Sequence, residues 1–569
     1  MKNLEVAQIL RDIARILEIK GGNVFRIRAY ERAAQNIEGL SKDIEDIAKE
    51  GTLTGIPGIG KDISEKIKEF IASGKIKMRE DLIKSLPEGL LDLLNIPSIG
   101  PKTAKLLHEK LKIKNVADLE KAIAKNKLKG IFGIKEKTIE NILKGIEILK
   151  KGSERMTLAQ AGLIAERFIN PLRELPEAKK VSEAGSLRRQ KETVRDIDIL
   201  VISDKPKAIM RAFTKMPEAA DILAEGETKS SLRTKDNVQI DCRVVKERSF
   251  GAALLYFTGS KNFNIKLRQL AIKKGLKINE YGVFKQGRFI CGRTEREIFK
   301  ALGMSYIEPE LREDTGEIEL ARKFRLPELI ELKDLKGDLH AHSKYSDGAN
   351  SIGEMASACR KKGYSYVAIT DHSESLKVAH GLSIADLRKK KKEIDSLNKK
   401  FKDFRVLFGT EVDIGSDGKI DYTDGILKDF DIVVAAIHTG FKQSRGQLTK
   451  RIIRACENRY VHIIAHPTGR LWGVREAYDI DLSEILKAAK DTHTHLEINS
   501  FPQRLDLDSP HCRQAKEMGV KLTISTDAHA ARHLEAIKFG ISVARRGWLT
   551  KNDVINTLSV EALLKEIKK

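Results

Sequence analysis

Residues 337–348 read GDLHAHSKYSDG, and this stretch decides how the last part of the chain is interpreted. His340 and His342 are one residue apart, and Asp347 follows shortly after them. Imidazole nitrogens and carboxylate oxygens are common ligands of divalent metal ions, and this spacing is typical of such ligands. The stretch therefore predicts a metal site.

Short apolar segments alternate with amphipathic helical segments after this stretch, which indicates an α/β barrel with parallel strands. The predicted strands are YSYVAITDH, FRVLFGTEVDI, DIVVAAIHTG, VHIIAHPTG, THLEINS and VKLTISTDAH. Nearly every one ends in His, Asp or Glu, and the active sites of barrels assemble at the carboxyl ends of the strands. Six of the 13 histidines follow this pattern, so a chance gathering is improbable. The predicted metal ligands are His340, His342, Asp347, His372, Glu411, His438, His466, Asp527 and His529.

These nine ligands suffice for up to three metal ions, with Glu411 as the expected bridge between two of them. They include no thiolate, so Zn²⁺ and Mn²⁺ both suit the site. His380 and Glu497 also stand in suggestive places, as groups that support the ligands or contact a substrate. The basic run at residues 388–392 is interpreted as a solvated helix face that could also guide DNA.

A second metal site is predicted in the middle of the chain, where residues 196–201 read DIDILV. This segment is predicted to be a strand, and residues two apart on a strand point to the same face, so Asp196 and Asp198 present paired carboxylates. Asp241 lies on another predicted strand. Three converging carboxylates could hold two divalent ions for an in-line phosphoryl transfer. Upstream, Gly185 and Ser186 precede two arginines, a pattern expected to bind phosphate.

The first third of the chain repeats one local pattern, a glycine turn placed just before a helix. The turns read GIPGIGK at residues 55–61, NIPSIGPK at 95–102 and, more weakly, GIFGIK at 130–135. Glycines there allow backbone amides at the helix start to face an oxyanion, and a nearby lysine adds charge. Such turns grip a phosphodiester without reading bases. The residues predicted to bind DNA in this way are Gly58, Gly60, Gly100 and Lys102.

The bulk composition agrees with a nucleic-acid partner. The chain has 569 residues, enough for three or more domains, and a net charge of +23. Its five cysteines lie far apart, which favours a reducing compartment. The first residues predict an amphipathic helix rather than a signal peptide, and no apolar run approaches the roughly 20 residues of a membrane span. We therefore expect a cytoplasmic protein.

The region up to residue 318 resembles the family X DNA polymerases, which are built on a nucleotidyltransferase fold. The resemblance is closest in YFTGSKNFNIKLR at residues 256–268 and KGLKINEY at 274–281. It implies that Asp196 and Asp198 bind both metals, Mg²⁺ or Mn²⁺, and that Asp241 acts as base or ligand near the primer hydroxyl. The residues that it implies for the incoming dNTP are Gly185, Ser186, Arg189, Tyr256, Phe257, Gly259 and Asn264, with Arg268 on the template strand.

The chain departs from this family in two places. Where relatives often have Ser-Gly before the first aspartate, this chain has Val194-Arg195. In members that excise sugar phosphates, a lysine forms a Schiff base, and Lys66 matches its position while Tyr30 matches a tyrosine of the same pocket. Some basic residues of that pocket are replaced, with Phe25, Thr54 and Asp62 in their positions, although Arg26 keeps one charge. Lys66 is thus either a lyase nucleophile or a solvated, phosphate-binding lysine.

Residues 336–569 resemble the polymerase and histidinol phosphatase (PHP) domain family, with no ligand missing. The resemblance implies a distorted TIM-like barrel and metal-dependent phosphoester hydrolysis. The expected domains are a helix-hairpin-helix and lyase-like domain (1–80), a fingers-like helical domain (81–152), a palm (153–245), a nucleotide-selecting subdomain (246–318), a linker (319–336) and a PHP domain (337–569).

The whole pattern predicts a monomeric, gap-filling repair DNA polymerase with a 3′-5′ exonuclease, acting on gapped or primer-template DNA and dNTPs. The hydrolytic site could equally prefer abasic sites or 3′-phosphates. Two other interpretations stay open. One is a repair nuclease or lyase whose palm is weak or only binds DNA. The other is a small-molecule phosphatase carried on a DNA-binding scaffold.

Overall fold

The computed structural model describes residues 2–38, 44–56, 58–87, 89–96, 99–131, 134 and 136–568. Its first part is helical, with α1 (Lys2–Ile19), α2 (Val24–Glu38), α3 (Ile44–Lys49), α4 (Lys61–Ser73) and α5 (Lys77–Lys84). Apolar residues three and four apart on α1, such as Val6, Leu10 and Ile13, are fully buried against the neighbouring helices. The amphipathic first helix predicted from the sequence is therefore present.

A second helical region has a hydrophobic core of its own. It contains α6 (Pro101–Leu111), α7 (Val116–Ala124) and α8 (Glu136–Glu154). Leu93, Leu107 and Leu119 are fully buried in this core. Pro101 opens α6, where the missing amide hydrogen costs little because first-turn amides have no partner within the helix.

The middle region is an α+β domain, as predicted. Its elements are β1 (Met156–Thr157), α9 (Leu158–Arg173), β2 (Lys180–Glu183), α10 (Gly185–Arg188), β3 (Thr193–Val194), β4 (Asp196–Ile202), α11 (Pro206–Thr214), β5 (Ala219–Glu225), β6 (Lys229–Thr234) and β7 (Gln239–Val245). Over these fully described residues, five strands form a sheet in the order β2-β4-β7-β6-β5, in which β4 and β7 are parallel. Ile197, Ile199 and Ile240 point into the core, so their polar neighbours along the strands lie on the other face.

The next subdomain contains α12 (Phe250–Thr258), α13 (Lys261–Lys273), β8 (Lys277–Asn279), β9 (Gly282–Lys285), β10 (Arg288–Cys291), α14 (Glu295–Ala301) and α15 (Glu317–Arg322). A buried ion-pair network joins it to the palm region. Glu295 lies 2.6 Å from both Arg188 Nη2 and Arg312 Nη1. Burial would raise the pKa of Glu295, but the charges of Arg312 and Arg188 lower it to about 2. Arg188, one of the two arginines expected to bind phosphate after Gly185 and Ser186, is therefore paired with Glu295.

The last region is an α/β barrel, which confirms the predicted fold. Its strands are β11 (Gly337–Ala341), β12 (Tyr366–Ile369), β13 (Arg405–Asp413), β14 (Ile432–Ala436), β15 (Ile463–Ile464), β16 (His495–Asn499) and β17 (Leu522–Ser525). Its helices are α16 (Ile352–Lys361), α17 (Ile384–Lys400), α18 (Asp424–Leu427), α19 (Arg445–Glu457), α20 (Leu482–Asp491), α21 (Ser509–Met518), α22 (Ile537–Arg546) and α23 (Val560–Glu566). Within residues 337–568 the seven strands pair in chain order, and all are parallel. A bridge from Ala341 to Ala528 nearly closes the sheet.

The barrel packs directly on the polymerase-like core. Trp548 from the barrel is buried in the same hydrophobic cluster as Phe263 and Leu267 of the preceding subdomain. The segment expected to be a linker, residues 319–336, begins within α15, and its Ile330 is fully buried and donates its backbone N–H to Leu549 O. None of the helices in the described part of the chain has the length and apolar composition that crossing a bilayer requires.

Candidate functional site

The palm carboxylates meet because two parallel strands are in register. Asp198 on β4 is directly opposite Asp241 on β7, and Asp196 precedes Asp198 by two residues on the same face. Burial, and then the charges of Asp196 and Asp241, raise the pKa of Asp198 to about 7. The charge of Asp198 is disfavoured by burial and by the two neighbouring carboxylates, and a divalent cation would stabilise it, so these residues fit the expected metals.

Asp241 is held by two neighbours. Gln239 Nε2 donates to Asp241 Oδ1 at 2.9 Å, and Lys229 Nζ lies 3.5 Å from Asp241 Oδ2. These contacts fix the orientation of this carboxylate toward the face that it shares with Asp198. Lys229 was not predicted from the sequence, because its pairing with Asp241 depends on the antiparallel alignment of β6 and β7.

The predicted phosphate-binding turn lies directly against these carboxylates. Gly185 has φ +62°, and a Cβ atom there would overlap the Asp198 carboxylate, so only glycine fits. Ala184 N donates to Asp198 O at 2.8 Å, which ties the turn to β4. Ser186 follows in the short helix α10 and is partly exposed.

Arg189 ends this turn and lies close to Gly259, another residue expected at the incoming dNTP. Its Nε is 3.1 Å from Glu313 Oε1, and its Nη1 donates to Thr258 O. The same Nη1 is near Gly259, where a side chain would crowd it. The charge of Arg189 also lowers the pKa of Asp198, against the larger effect of burial. The guanidinium therefore lies beside Gly259 and close enough to Asp198 for the two charges to interact.

The other residues predicted at the nucleotide are brought together at the end of α12 and the start of α13. The rings of Tyr256 and Phe257 pack edge to face with centroids 5.1 Å apart. Asn264 Nδ2 donates to Tyr256 O at 2.7 Å, and Arg268 Nε donates to Asn264 O at 3.2 Å. Tyr256 remains partly exposed, so this group of side chains borders the surface beside the carboxylates.

The predicted DNA-binding turns open helices whose first residues are exposed. Gly60 precedes α4 and Gly100 precedes α6, both with extended backbone, and no described atom lies within 4 Å of a Cβ built at either glycine. Gly58 adopts φ +80°, and Lys102 is exposed in the first turn of α6. Pro57, Pro97 and Ser98 lie outside the described residues. In the third turn, Phe132, Gly133 and Lys135 also lie outside the described residues.

Lys66 is paired with a carboxylate. Its Nζ lies 2.5 Å from Asp62 Oδ1, and Tyr30 Oη donates to Asp62 Oδ2 at 3.3 Å. The hydrogen bond from Lys66 lowers the pKa of Asp62. Phe25, which was expected to replace a basic residue of this pocket, is 82% exposed. A nucleophilic attack by Lys66 would first require this ion pair to open.

The nine predicted ligands of the barrel converge at the carboxyl ends of its strands. Among the described residues, three groups place donor atoms within 4.8 Å of one another, and all three lie in the barrel. They are His342 with Asp347, His372 and His529, then His340 with His342 and Asp527, and His372 with Glu411 and His438. His466 joins them through Glu411, since His466 Nε2 is 3.2 Å from Glu411 Oε1. His380 is exposed and belongs to none of these groups.

Glu411 occupies the centre of the site. Its Oε2 lies 3.4 Å from His340 Nε2 and 2.9 Å from His372 Nδ1. Its Oε1 lies 3.3 Å from His438 Nε2. The two oxygens thus face different sets of imidazoles, an arrangement that suits a carboxylate bridging two ions.

The electrostatics of the barrel site also fit metal ions. Burial would raise the pKa of Glu411, but the charges of His372, His438 and His340 hold it well below its usual value. Burial, with the neighbouring His529 and His372, lowers the pKa of His342 to about 4. Among the described atoms, His340 Nε2, both ring nitrogens of His342 and Glu411 Oε2 are buried and make no hydrogen bond of good geometry, although neighbouring ligand atoms lie close to them. Buried polar atoms of this kind ordinarily have a partner, and metal ions would provide one.

Two carboxylates contact predicted ligands at the imidazole nitrogen that does not face Glu411. Glu497 Oε1 lies 2.7 Å from His340 Nδ1, and its Oε2 accepts from His466 N at 2.9 Å. Asp413 Oδ1 lies 3.1 Å from His438 Nδ1. The sequence marked Glu497 without fixing its role and missed Asp413, although Asp413 follows Glu411 at the strand spacing of two residues.

The basic run at residues 388–392 differs in part from its prediction as a solvated helix face. Lys390 is fully buried, and its Nζ lies 2.9 Å from Asp371 Oδ2. It also donates to the backbone oxygens of Ile369 and Gly409, each at 2.8 Å. The reason is helical periodicity, because every third or fourth residue of α17 turns toward the barrel. Ser343 Oγ donates to Asp371 as well, so this buried network lies next to His342 and His372.

Four family models match the chain. They are a helix-hairpin-helix domain over residues 1–76, a SAM-like helix-hairpin-helix tandem over 90–147, a DNA polymerase beta thumb over 253–313 and a PHP domain over 338–501. The chain is also 41% identical over 572 residues to the DNA polymerase/3′-5′ exonuclease PolX of Bacillus subtilis (strain 168), covering 99% of this chain and 100% of that protein. A probable phosphatase of Thermoanaerobacter sp. (strain X514) is 32% identical over 246 residues, 41% of this chain and 95% of the relative. One from Shewanella sediminis (strain HAW-EB3) is 30% identical, over 41% of this chain and 93% of the relative.

Proposed function

The chain belongs to the family X DNA polymerases that carry a PHP domain, and from this premise we propose that it fills short gaps in DNA during repair and trims 3′ ends with its barrel. It is a DNA-directed DNA polymerase and a metal-dependent 3′-5′ exonuclease. The observation that carries the proposal is the presence of two separate donor sets. One is the three carboxylates of the palm, and the other is the eight residues of the barrel's ligand groups with His466 beside Glu411. Its substrates are gapped or primer-template DNA and dNTPs.

In the palm, we assign Asp196, Asp198 and Asp241 to two ions, Mg²⁺ or Mn²⁺. When bound, these ions would supply activation of the primer 3′ hydroxyl and neutralisation of charge on the triphosphate. The chain's own residues then position the reactants. Gly185 and Ser186 offer a backbone amide and a hydroxyl to the phosphates, and Arg189 adds a guanidinium.

The nucleotide itself is selected by the residues around α12 and α13. Tyr256, Phe257 and Gly259 form the wall beside the sugar, where we expect a ribose 2′ hydroxyl to be crowded. Asn264 contacts the minor-groove edge of the incoming base, and Arg268 contacts the template strand. The hydrogen bond from Asn264 Nδ2 to Tyr256 O links the residue assigned to the base with the wall assigned to the sugar.

Binding of DNA is assigned to the glycine turns. Gly58, Gly60 and Gly100 place open backbone amides at helix N-termini, and Lys102 adds a cation next to one of them. These groups recognise phosphate and not bases, so the enzyme is expected to accept gaps of any sequence. Lys66, with Tyr30 and Asp62, is the candidate group for removing a 5′ sugar phosphate.

In the barrel, the nine ligands would hold up to three ions, Zn²⁺ or Mn²⁺, which supply electrophilic activation of a phosphodiester and of the attacking water. The residues of the chain fix this donor set. Glu411 faces two sets of imidazoles, while Glu497 and Asp413 orient His340 and His438. We propose 3′ ends of DNA as the substrate, since the DNA-binding regions belong to the same chain. Cleavage at an abasic site and removal of a 3′-phosphate are also phosphoester hydrolyses and would need the same donor set.

The test is a gel assay with a 5′-labelled primer in a short gap. Incubation with dNTPs and Mg²⁺ should lengthen the primer, and incubation with Mn²⁺ or Zn²⁺ without dNTPs should shorten it from its 3′ end. A chain that shortens but never lengthens the primer would be a nuclease with a binding-only palm. A chain that leaves DNA intact but hydrolyses small phosphate esters would be a phosphatase, an alternative that the probable phosphatases among the relatives support.

A further inference from the structure

The last turn of α22 reaches from the barrel into the nucleotide side of the polymerase core. Arg546, which ends this helix, donates from Nη1 to Arg189 O at 2.8 Å. The same Nη1 lies 3.1 Å from Glu313 Oε1. The side chain of Arg546 is only 8% exposed, so these contacts are made away from bulk solvent.

Glu313 is shared between this barrel arginine and the arginine of the nucleotide turn. Arg189 Nε approaches the same oxygen, Glu313 Oε1, at 3.1 Å. Lys191 Nζ is more distant, at 3.9 Å. Burial would raise the pKa of Glu313, but the charges of Arg189, Arg546 and Lys191 lower it. One carboxylate therefore balances two guanidiniums, one from each half of the chain.

Because Glu313 pairs with both arginines, it affects how freely Arg189 can bind a nucleotide. Arg189 must direct its guanidinium to a triphosphate, and any loosening of its pair with Glu313 would leave a largely buried carboxylate without a full partner. Such a loss is costly when no other cation is present. Arg546 is the nearer of the two remaining cations, at 3.1 Å from Glu313 Oε1 against 3.9 Å for Lys191 Nζ. Its hydrogen bond to the Arg189 carbonyl also holds the backbone of the turn in place.

We propose that Arg546 of the barrel is a positioning residue for dNTP binding in the polymerase half. It keeps Glu313 compensated while Arg189 engages the triphosphate, and it fixes the end of the phosphate-binding turn. The barrel thus supports the nucleotide site of the polymerase half through Arg546, in addition to holding its own ligand groups. This inference rests on the proposed function, in which Arg189 binds the triphosphate.

The neighbouring residue offers a matched control. Arg545 also joins the barrel to the core, since its Nε lies 2.6 Å from Glu310 Oε1 and its Nη1 donates to Ile330 O. These contacts involve neither Arg189 nor Glu313. Arg545→Gln removes a similar ion pair from the same helix. It tests whether any weakening of the contact between the barrel and the polymerase half is enough to raise the KM for the dNTP.

The experiment measures single-nucleotide gap filling at steady state for the full chain and for Arg546→Gln, Arg546→Lys and Arg545→Gln. Arg546→Gln should raise KM for the dNTP by roughly tenfold, near the lower end of the cost of losing a hydrogen bond to a charged group, and should change kcat much less. Arg546→Lys should recover part of the loss because an ammonium can still pair with Glu313. Arg545→Gln should keep a KM near that of the parent chain. Removal of 3′ nucleotides by the barrel from single-stranded DNA should be unchanged in all variants.

Melting curves confirm that each variant is folded. An unchanged KM in folded Arg546→Gln would overturn the inference, as would an equal rise in Arg545→Gln, which would show a general effect of the interface. A parent chain that incorporates no dNTP would instead refute the proposed function, and the inference with it.

Discussion

Glu497 Oε1 lies 2.7 Å from His340 Nδ1, while His340 Nε2 faces Glu411 on the other side of the ring. The carboxylate therefore fixes which imidazole nitrogen points into the barrel site. It also accepts a hydrogen bond from His466 N, so a single buried residue orients two predicted ligands.

Replacing Glu497 should weaken metal binding without touching any predicted ligand. Glu497→Gln keeps the shape but removes the charge behind His340, and changes of this kind typically cost about 10–100-fold in metal affinity. The measurement is bound metal per chain after dialysis against a metal buffer. His380→Ala, an exposed histidine outside the ligand groups, should retain the metal content of the parent chain. Full occupancy in Glu497→Gln at limiting metal would contradict the assigned role.

Lys390 should be important for stability and not for chemistry. Lys390→Met leaves Asp371 buried without its cation, and breaking a buried ion pair in this way costs about 3–5 kcal/mol. Denaturant unfolding of the full chain would detect the loss in the transition that belongs to the barrel. The double variant Asp371→Asn with Lys390→Met should recover much of it, because no unpaired charge then remains. Equal stabilities for the single and double variants would show that the pair contributes little.

Local sequence patterns predicted the donor sets but not the contacts between distant elements. Period-two spacing placed Asp196 beside Asp198, and the repeated strand endings placed histidines at one end of the barrel. The burial of Lys390 was not predicted because a run of five basic residues shows no apolar face, although one of them turns inward. The pairing of Arg546 with Arg189 and Glu313 depends on how two domains pack, and no local pattern encodes that. For the same reason the pairing of Arg188 with Glu295, 107 residues further along the chain, was not predicted.

Asp198→Ala should abolish dNTP incorporation and leave DNA binding nearly intact. Asp198 is opposite Asp241 in the register of β4 and β7, and its loss removes the centre of the carboxylate set but none of the glycine turns. Primer extension and a binding titration on the same preparation measure the two properties. Asp204→Ala, which changes an exposed aspartate just beyond β4, should extend primers normally. Substantial synthesis by Asp198→Ala in ordinary Mg²⁺ would mean that the carboxylates are misassigned.

Binding to short gapped DNA should show little sequence preference and a strong dependence on salt. Each neutralised phosphate contributes about 0.9 to the slope of log affinity against log salt for duplex DNA. Lys102→Ala should lower that slope by roughly one, whereas Lys487→Ala, which changes an exposed lysine on α20, should not. Titrations at several salt concentrations measure the slopes. An affinity indifferent to salt would refute the assignment of the glycine turns to phosphate.

The two chemistries should be separable by a single substitution in the barrel. His342 is fully buried, its Nε2 lies 3.2 Å from Asp527 Oδ1, and it belongs to two of the three ligand groups. All members of those groups follow residue 337, and none is a palm carboxylate. His342→Ala should therefore eliminate removal of 3′ nucleotides and spare extension of a matched primer. Changes to residues that support a ligand typically lower metal affinity by about 10–100-fold, and loss of the ligand itself should lower it at least as much. Primers that end in a mismatch should then be extended poorly, because trimming precedes filling. Both activities and a melting curve are measured on one preparation. Nuclease activity that survives in folded His342→Ala but disappears in Asp198→Ala would place hydrolysis in the palm and contradict this division between the two sites.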